Sequence, residues 1–239
     1  MANTVNVSDL ITLSRQRANM EASQFVTDSE IVSLLDRGYK ELYDLLVQTY
    51  QEYFLTSTLV NLVAGTDNYP LPADFYKLQG IDYITQNSTN SRWTMRPFMF
   101  NERNQYQSSA YLFSFSNTNL RYLVSGSNLK FRPIPIQSGT IEVFYVPVPK
   151  TLTASSTPGP TEQNSIDAVN GYDEYVILDT AINMLNKEES DSTALRAMKD
   201  ETTQRIIKSA ADRDIGQPQR VTDVSSQNWL FPFANFWAQ

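Results

Sequence analysis

Proline is concentrated in the middle of this chain, and its distribution limits where long helices can form. The sequence has 239 residues and 11 prolines, with none before Pro70 and none between Pro160 and Pro218. A proline inside a helix removes a hydrogen-bond donor and clashes with the preceding turn. The sequence therefore predicts helices near both ends and short strands between them.

Residues 1–54 are predicted to form two helices. Ser8 or Asp9 can cap a short helix that runs to about Met20. Thr27 and Glu30 then have the spacing of a capping box, in which both side chains satisfy free amides of the first turn. The helix that follows carries apolar residues close to the helical period over roughly 25 residues. They are Ile31, Leu34, Leu35, Leu42, Leu45, Leu46 and Tyr53, and Tyr39, Tyr43 and Tyr50 widen the stripe.

Residues 55–150 show β-rich runs separated by turn residues, a pattern typical of antiparallel sheet. Strands are predicted at residues 56–63, 120–124, 129–132 and 140–146. Gly126 lies between the second and third runs, where it can adopt the positive φ of a hairpin turn. Prolines that follow the later strands cannot donate to a ladder, so those strand ends are expected at edges or outside the sheet. These prolines are Pro133, Pro135, Pro147 and Pro149.

Residues 151–171 are rich in Ser, Thr, Pro and Gly and are predicted to be a long loop. We expect residues 155–165 to be disordered in the free protein or ordered only by a neighbouring subunit. Tyr172 is predicted to open a helix, and a second helix is predicted to begin near Ser192. Their apolar faces hold Tyr175, Leu178, Ile182 and Leu185 in the first, and Leu195, Met198 and Ile206 in the second.

These elements predict an α+β fold: a bundle of N- and C-terminal helices with an inserted antiparallel β region and an extended C-terminal arm. Residues 1–54 and 172–214 would form the helical domain together. Residues 55–150 would be the β-rich insertion, and residues 151–171 the loop that returns to the helices. Residues 215–239 would be the arm.

The arm concentrates large aromatic residues in a segment without a helical or strand-like apolar period. Its candidate contact residues are Trp229, Leu230, Phe231, Phe233, Phe236 and Trp237. Aromatic side chains dominate interface energetics, since each buries roughly 150–250 Å². The arm is therefore predicted to reach another subunit. The alternative is that it folds back onto its own domain.

The net charge of −7 is unevenly distributed. Residues 1–54 hold 8 acids and 4 bases, and residues 172–214 hold 10 acids and 6 bases, so each block carries −4. Such a chain is a poor candidate for gripping nucleic acid, because phosphate binding depends on Lys and Arg. No apolar run approaches the ~18 residues of a membrane span, and the first residues lack the pattern of a signal peptide. We therefore expect an intracellular protein without a membrane segment.

Most catalytic and cofactor-binding patterns are missing from the sequence. The chain has no His and no Cys, and its 8 glycines are scattered singly. Without His the chain lacks the commonest general base, and without Cys it has no thiolate metal ligands. Scattered glycines do not form a glycine-rich phosphate-binding loop. We predict no catalytic, cofactor-binding or metal-binding residues. An enzyme acting through carboxylates alone, such as a glycosidase, would depend on acids of the β-rich part: Asp74, Asp82, Glu102 and Glu142.

One segment resembles a family motif. Tyr69, Leu71, Pro72, Asp74 and Phe75 form a Tyr-x-Leu-Pro-x-Asp-Phe element after the first predicted strand. Physically, the prolines around Leu71 fix an extended entry, and Asp74 can cap a turn that Phe75 and Leu78 anchor. The order of elements, including the strand at 140–146 and the closing helix pair, is similar to the head-to-tail adaptor proteins of tailed bacteriophages.

This resemblance implies a structural virion protein rather than an enzyme. Such adaptors usually form a ring of twelve copies beneath the portal protein, joined to the tail nozzle or tube, and their C-terminal arm often reaches the portal. Double-stranded DNA would pass through the ring without sequence-specific binding, and an acidic lumen would help it slide. The expected location is the head–tail interface of the virion, and the host cytoplasm during assembly.

A second function, from another class, is a tail-associated carbohydrate-binding or fibre-accessory module. Its sugar platform would be the aromatic region of Trp93, Tyr106, Tyr111 and Phe113.

Overall fold

A computed structural model describes residues 4–84, 91–107 and 119–211 of the chain. Its α-helices are α1 (Val7–Arg17), α2 (Asp28–Thr49), α3 (Asp173–Lys187) and α4 (Thr193–Ala211). The β-strands run from β1 to β12 and fall into four sheets in this part of the chain. The α+β class predicted from the sequence is confirmed.

Helix α3 is the centre of the helical part, because α1, α2 and α4 all pack against it. Its burial extends around the helix and includes Asp179, which accepts a hydrogen bond from Lys199 Nζ at 2.7 Å. Elements from both ends of the chain share one hydrophobic core. Its fully or nearly buried members include Val7, Leu10, Val26, Ile31, Leu35, Leu42, Leu46, Tyr175, Val176, Met184 and Ile206.

The observed helix N-termini agree only in part with those predicted from the sequence. The Thr27 hydroxyl caps α2 by accepting the Glu30 amide at 3.4 Å, as predicted. The Glu30 carboxylate instead accepts from Lys187 at 2.7 Å. For α1 the predicted caps are wrong, since the N-cap is Asn6 and the helix ends at Arg17. The reason is that β1 (Thr4–Asn6) runs directly into α1.

Two four-stranded sheets form the β-rich part. In the first, β2 (Thr56–Leu62), β9 (Gly139–Pro147), β4 (Phe75–Ile84) and β5 (Arg92–Thr94) lie in that order, all antiparallel. In the second, the order is β3 (Asn68–Pro70), β8 (Asn128–Arg132), β7 (Arg121–Ser125) and β6 (Arg96–Pro97), with β6 parallel to β7. A second hydrophobic core lies here, built on Leu62, Tyr69, Ile81, Leu129, Phe131, Ile141 and Val143.

The predicted strands near residues 56–63, 120–124, 129–132 and 140–146 correspond to β2, β7, β8 and β9. Gly126 has φ of 59° in the turn between β7 and β8, as the hairpin requires. Strand β4 was not predicted, because Phe75 and Leu78 were assigned to a turn. They lie in a strand that pairs with β9 and is interrupted by two register shifts.

The long loop predicted at residues 151–171 is wrong in part, because short strands organise it. Strand β10 (Thr151–Leu152) pairs with β11 (Glu162–Gln163), and β12 (Ser165–Asp167) pairs antiparallel with β1. Strand pairing therefore includes Glu162, Gln163 and Ser165, at the C-terminal end of the stretch that was expected to be disordered. The composition gave no sign of the β1–β12 pairing, since Thr4 and Asp167 are distant in sequence.

Candidate functional site

Helix α2 contacts the first sheet through a cluster of aromatic side chains. Tyr43 is 3% exposed, and its hydroxyl donates to the Pro147 carbonyl at 2.6 Å. Its ring stacks on Phe54 with centroids 4.1 Å apart and an interplanar angle of 15°. Burial raises the pKa of Tyr43 above its ordinary value. This side chain therefore stays neutral and joins the helical part to the end of β9.

A cavity of about 590 Å³ opens beside this cluster, between α2, the end of β9 and the segment around residue 160. Leu55 and Val148 line it and are 42% and 47% exposed, so the cavity reaches the surface there. Asp74 and Lys150 supply charged groups to its lining. Most of the remaining wall is aromatic or proline: Tyr39, Tyr43, Phe54, Pro147, Pro149 and Pro160. Cavities of roughly 300–1,000 Å³ with this apolar character are typical binding sites.

Two members of the family-like motif tie the second sheet together. The Tyr69 hydroxyl accepts from the Val63 amide at 2.8 Å and lies 3.2 Å from the Thr66 carbonyl, to which it can donate. The Tyr69 ring meets Phe131 edge to face at 5.7 Å. Leu71 donates its amide to the carbonyl of the β7–β8 turn at 2.9 Å. These contacts fix the turn after β2 and the entry to β4.

The other members lie where that entry reaches β9 and the cavity. The Phe75 amide donates to the Pro72 carbonyl at 3.1 Å, closing a turn before β4. The Asp74 carboxylate accepts from the Tyr145 hydroxyl at 2.9 Å, so it bonds across the sheet instead of capping that turn as predicted. Burial, together with the bond to Asp74, raises the pKa of Tyr145 to about 12. Of the motif residues, Asp74 lines the cavity.

Three of the acids considered for carboxylate catalysis, Asp74, Glu102 and Glu142, accept hydrogen bonds within the fold. The Ser57 hydroxyl at 2.8 Å and the Arg92 guanidinium hold the pKa of Glu142 below its usual value. Asp82 lies opposite Glu142 in the β4–β9 register. The Glu102 carboxylate accepts from the Met99 amide at 3.1 Å. No cluster of three potential metal-binding side chains occurs in the described part of the chain.

The two described residues of the aromatic platform proposed for sugar binding, Trp93 and Tyr106, do not form such a platform. Trp93 is 50% exposed on β5, but Tyr106 is only 8% exposed. The Arg121 guanidinium covers the face of the Tyr106 ring at 4.6 Å, and Phe98 packs against it with centroids 6.0 Å apart. The assignment of Tyr106 to a sugar platform is therefore wrong. Tyr111 and Phe113 lie outside the described residues.

The predicted contact residues of the arm also lie outside the described residues: Trp229, Leu230, Phe231, Phe233, Phe236 and Trp237. The cavity itself was missed by the sequence analysis. Tyr39 and Tyr43 were recognised only as a wider apolar stripe of α2, and Phe54 was not singled out. The sequence did contain a signal, because α2 and its C-cap residue supply three tyrosines, Tyr39, Tyr43 and Tyr50, where an apolar helix face needs none. The segment that completes the cavity, the end of β9, is distant in sequence, so the cavity could not be located from α2 alone.

Comparison with known proteins gives one match that covers most of the chain. The family model described as SU10 adaptor protein matches residues 5–232. No curated protein matches the chain. Among residues 4–84, 91–107 and 119–211, no helix is long and apolar enough to cross a bilayer.

Proposed function

Because the chain belongs to the SU10 adaptor protein family, we propose that it is a structural protein of the phage virion that joins the head to the tail. The family match over residues 5–232 carries this proposal. An adaptor interacts with other virion proteins, and its role requires contact surfaces and no catalytic centre.

In this role the protein forms a ring of twelve copies between the portal protein and the tail nozzle or tube, around the DNA channel. The acidic blocks at residues 1–54 and 172–214 each carry a net charge of −4. Acidic surfaces repel phosphate, so these charges support a channel through which DNA moves without being bound. The arm at residues 215–239 attaches the ring to the portal through the aromatic residues named above. The protein acts at the head–tail interface and is assembled from the host cytoplasm.

The two hydrophobic cores support a division into a helical domain and a β-rich insertion. One core draws on residues from Val7 to Leu46 and from Leu152 to Ala210. The other draws on residues from Leu62 to Tyr145. We propose residues 1–54 with 172–214 as the helical domain, 55–150 as the insertion, 151–171 as the returning segment and 215–239 as the arm.

Electron microscopy of the protein mixed with purified portal tests the proposal. We expect class averages with a symmetric collar on one face of the portal, and the symmetry gives the copy number. The control is portal alone, imaged under the same conditions. A mixture in which portal particles gain no density would contradict the adaptor role.

A further inference from the structure

The cavity beside Tyr43 has the character of a site for aromatic side chains. Its wall is built from tyrosine, phenylalanine and proline, and the two exposed aliphatic residues Leu55 and Val148 extend that apolar surface outward. Large aliphatic groups left 42% and 47% exposed at the edge of such a cavity gain free energy when an apolar occupant covers them.

The last turn of α4 lies close to this cavity. The Ser209 hydroxyl is 3.3 Å from the Tyr172 hydroxyl. The Tyr172 ring lies 6.5 Å from the Tyr53 ring, and the Tyr53 ring lies 4.6 Å from that of Phe54, which lines the cavity. A continuous row of side chains therefore joins the end of the described chain to the cavity wall.

The segment that follows α4 is long enough to reach the cavity. Trp229 comes 18 residues after Ala211, since 229 − 211 = 18. Fully extended, that length spans at most about 65 Å, and as a flexible chain its average span is about 23 Å. A tether of this kind gives its end an effective concentration on the order of millimolar at a nearby site, so modest affinity is enough for occupancy.

The charges of the two surfaces are also compatible. Residues 215–239 contain one acidic and one basic side chain, Asp223 and Arg220. The cavity wall has one of each as well, Asp74 and Lys150. Neither surface therefore carries a net charge that would oppose burial of aromatic groups.

We propose that, in the free protein, residues 229–237 dock in the cavity of their own chain and shield its aromatic wall. Docking of this kind concerns the protein before it meets a partner, so it does not depend on the role proposed at the portal. The arm's aromatic residues are held out of solvent until a competing surface takes them.

Tryptophan fluorescence of the full chain tests this docking. The sequence has 3 tryptophans, so the single change Trp93→Phe leaves only Trp229 and Trp237 as reporters. In that background we expect blue-shifted emission and weak quenching by acrylamide. Leu55→Lys, at the cavity edge, should shift the emission to longer wavelength and increase quenching. The matched control is Leu59→Lys, which places the same change at a leucine 63% exposed on β2 and outside the cavity wall.

Val148→Lys provides a second test at the cavity edge, and circular dichroism checks that each variant is folded. Solvent-like emission in the Trp93→Phe protein itself would overturn the proposal. Equal effects of the Leu55 and Leu59 changes, or shielded tryptophans that neither edge variant exposes, would place the arm elsewhere and overturn it too. Shielding that appears only at concentrations where light scattering detects dimers would assign the arm to a second copy. Portal binding, measured separately by co-sedimentation, can succeed or fail independently of these results.

Discussion

Lys199 and Lys187 form ion pairs of equal length in different surroundings, so comparing them tests the effect of burial. Lys199 Nζ lies 2.7 Å from Asp179, and Lys187 Nζ lies 2.7 Å from Glu30. Lys199 also lies 3.4 Å from Glu41, and Lys187 also donates to the Phe25 carbonyl at 3.2 Å. Each ammonium group also lies over an aromatic ring, at 4.7 and 4.9 Å respectively. The side chains of the first pair are 21% and 9% exposed, whereas both of the second are 38% exposed.

We expect Lys199→Met to destabilise the protein far more than Lys187→Met. Removing Lys199 leaves the Asp179 carboxylate among the helices without its cation, which costs about 3 kcal/mol. Removing Lys187 breaks an exposed pair worth about 0–1 kcal/mol. For a chain of this size, each kcal/mol corresponds to roughly 2–4 °C in Tm. The expected losses are therefore about 6–12 °C and less than about 4 °C.

Thermal unfolding followed by circular dichroism measures both variants. Burial lowers the pKa of Lys199, but the hydrogen bond and charge of Asp179 outweigh it, so its pKa lies above the usual lysine value. Because the folded pKa is raised, its contribution is complete below the unfolded value of about 10.4 and is lost only as pH rises through the folded pKa. The Lys199→Met deficit should thus be constant from neutral pH to about 10.4. Equal losses for the two variants would refute the role of burial.

Further changes test other parts of the fold and the proposed role. Gly38→Ala places a Cβ 3.0 Å from the Asp179 Oδ2 atom, so it should lower Tm, although Gly to Ala usually stabilises a helix by about 1 kcal/mol. Made in an Asp179→Ala protein, the same change should raise Tm relative to Asp179→Ala alone. Tyr43→Phe removes the hydrogen bond to β9 and should cost about 1 kcal/mol in urea unfolding. Deleting residues 223–239 should leave the protein folded but abolish co-sedimentation with portal, and Trp229→Ala alone should cost on the order of 2 kcal/mol per interface. A large fall in Tm with portal binding retained would show that the arm belongs to the core.

The parts of the fold that the sequence predicted well are those with a local cause. The Thr27 cap and the apolar stripe of α2 depend on residues within one helix, and the β7–β8 hairpin depends on Gly126. The pairing of β1 with β12 joins residues more than 150 positions apart, since Thr4 lies opposite Asp167. A strand of three residues has too little periodicity to be recognised without its partner.

The candidate site was harder to predict for the same reason. The Tyr-x-Leu-Pro-x-Asp-Phe element was visible, but Asp74 had two possible uses, and its bond to Tyr145 depends on the pairing of β4 with β9. Local turn chemistry favoured a cap, because Asp commonly binds nearby backbone amides. The tertiary contact prevailed because the Tyr145 hydroxyl, on a side chain that is 5% exposed, needs an acceptor.

In the proposed role the protein binds two different partners, so it needs two separate contact surfaces. The arm follows α4, which belongs to the helical core. Met99 and Phe100 follow β6 of the second sheet and are 69% and 66% exposed, more than the other large apolar side chains among the described residues. Contiguous exposed apolar surface is typical of interaction sites. These two residues are adjacent, and the Arg103 guanidinium lies 4.4 Å from the centre of the Phe100 ring. Because the two positions belong to elements with different hydrophobic cores, contact at one need not disturb the packing that supports the other. In the proposed role, the arm would serve the portal and the β-rich part would serve the tail.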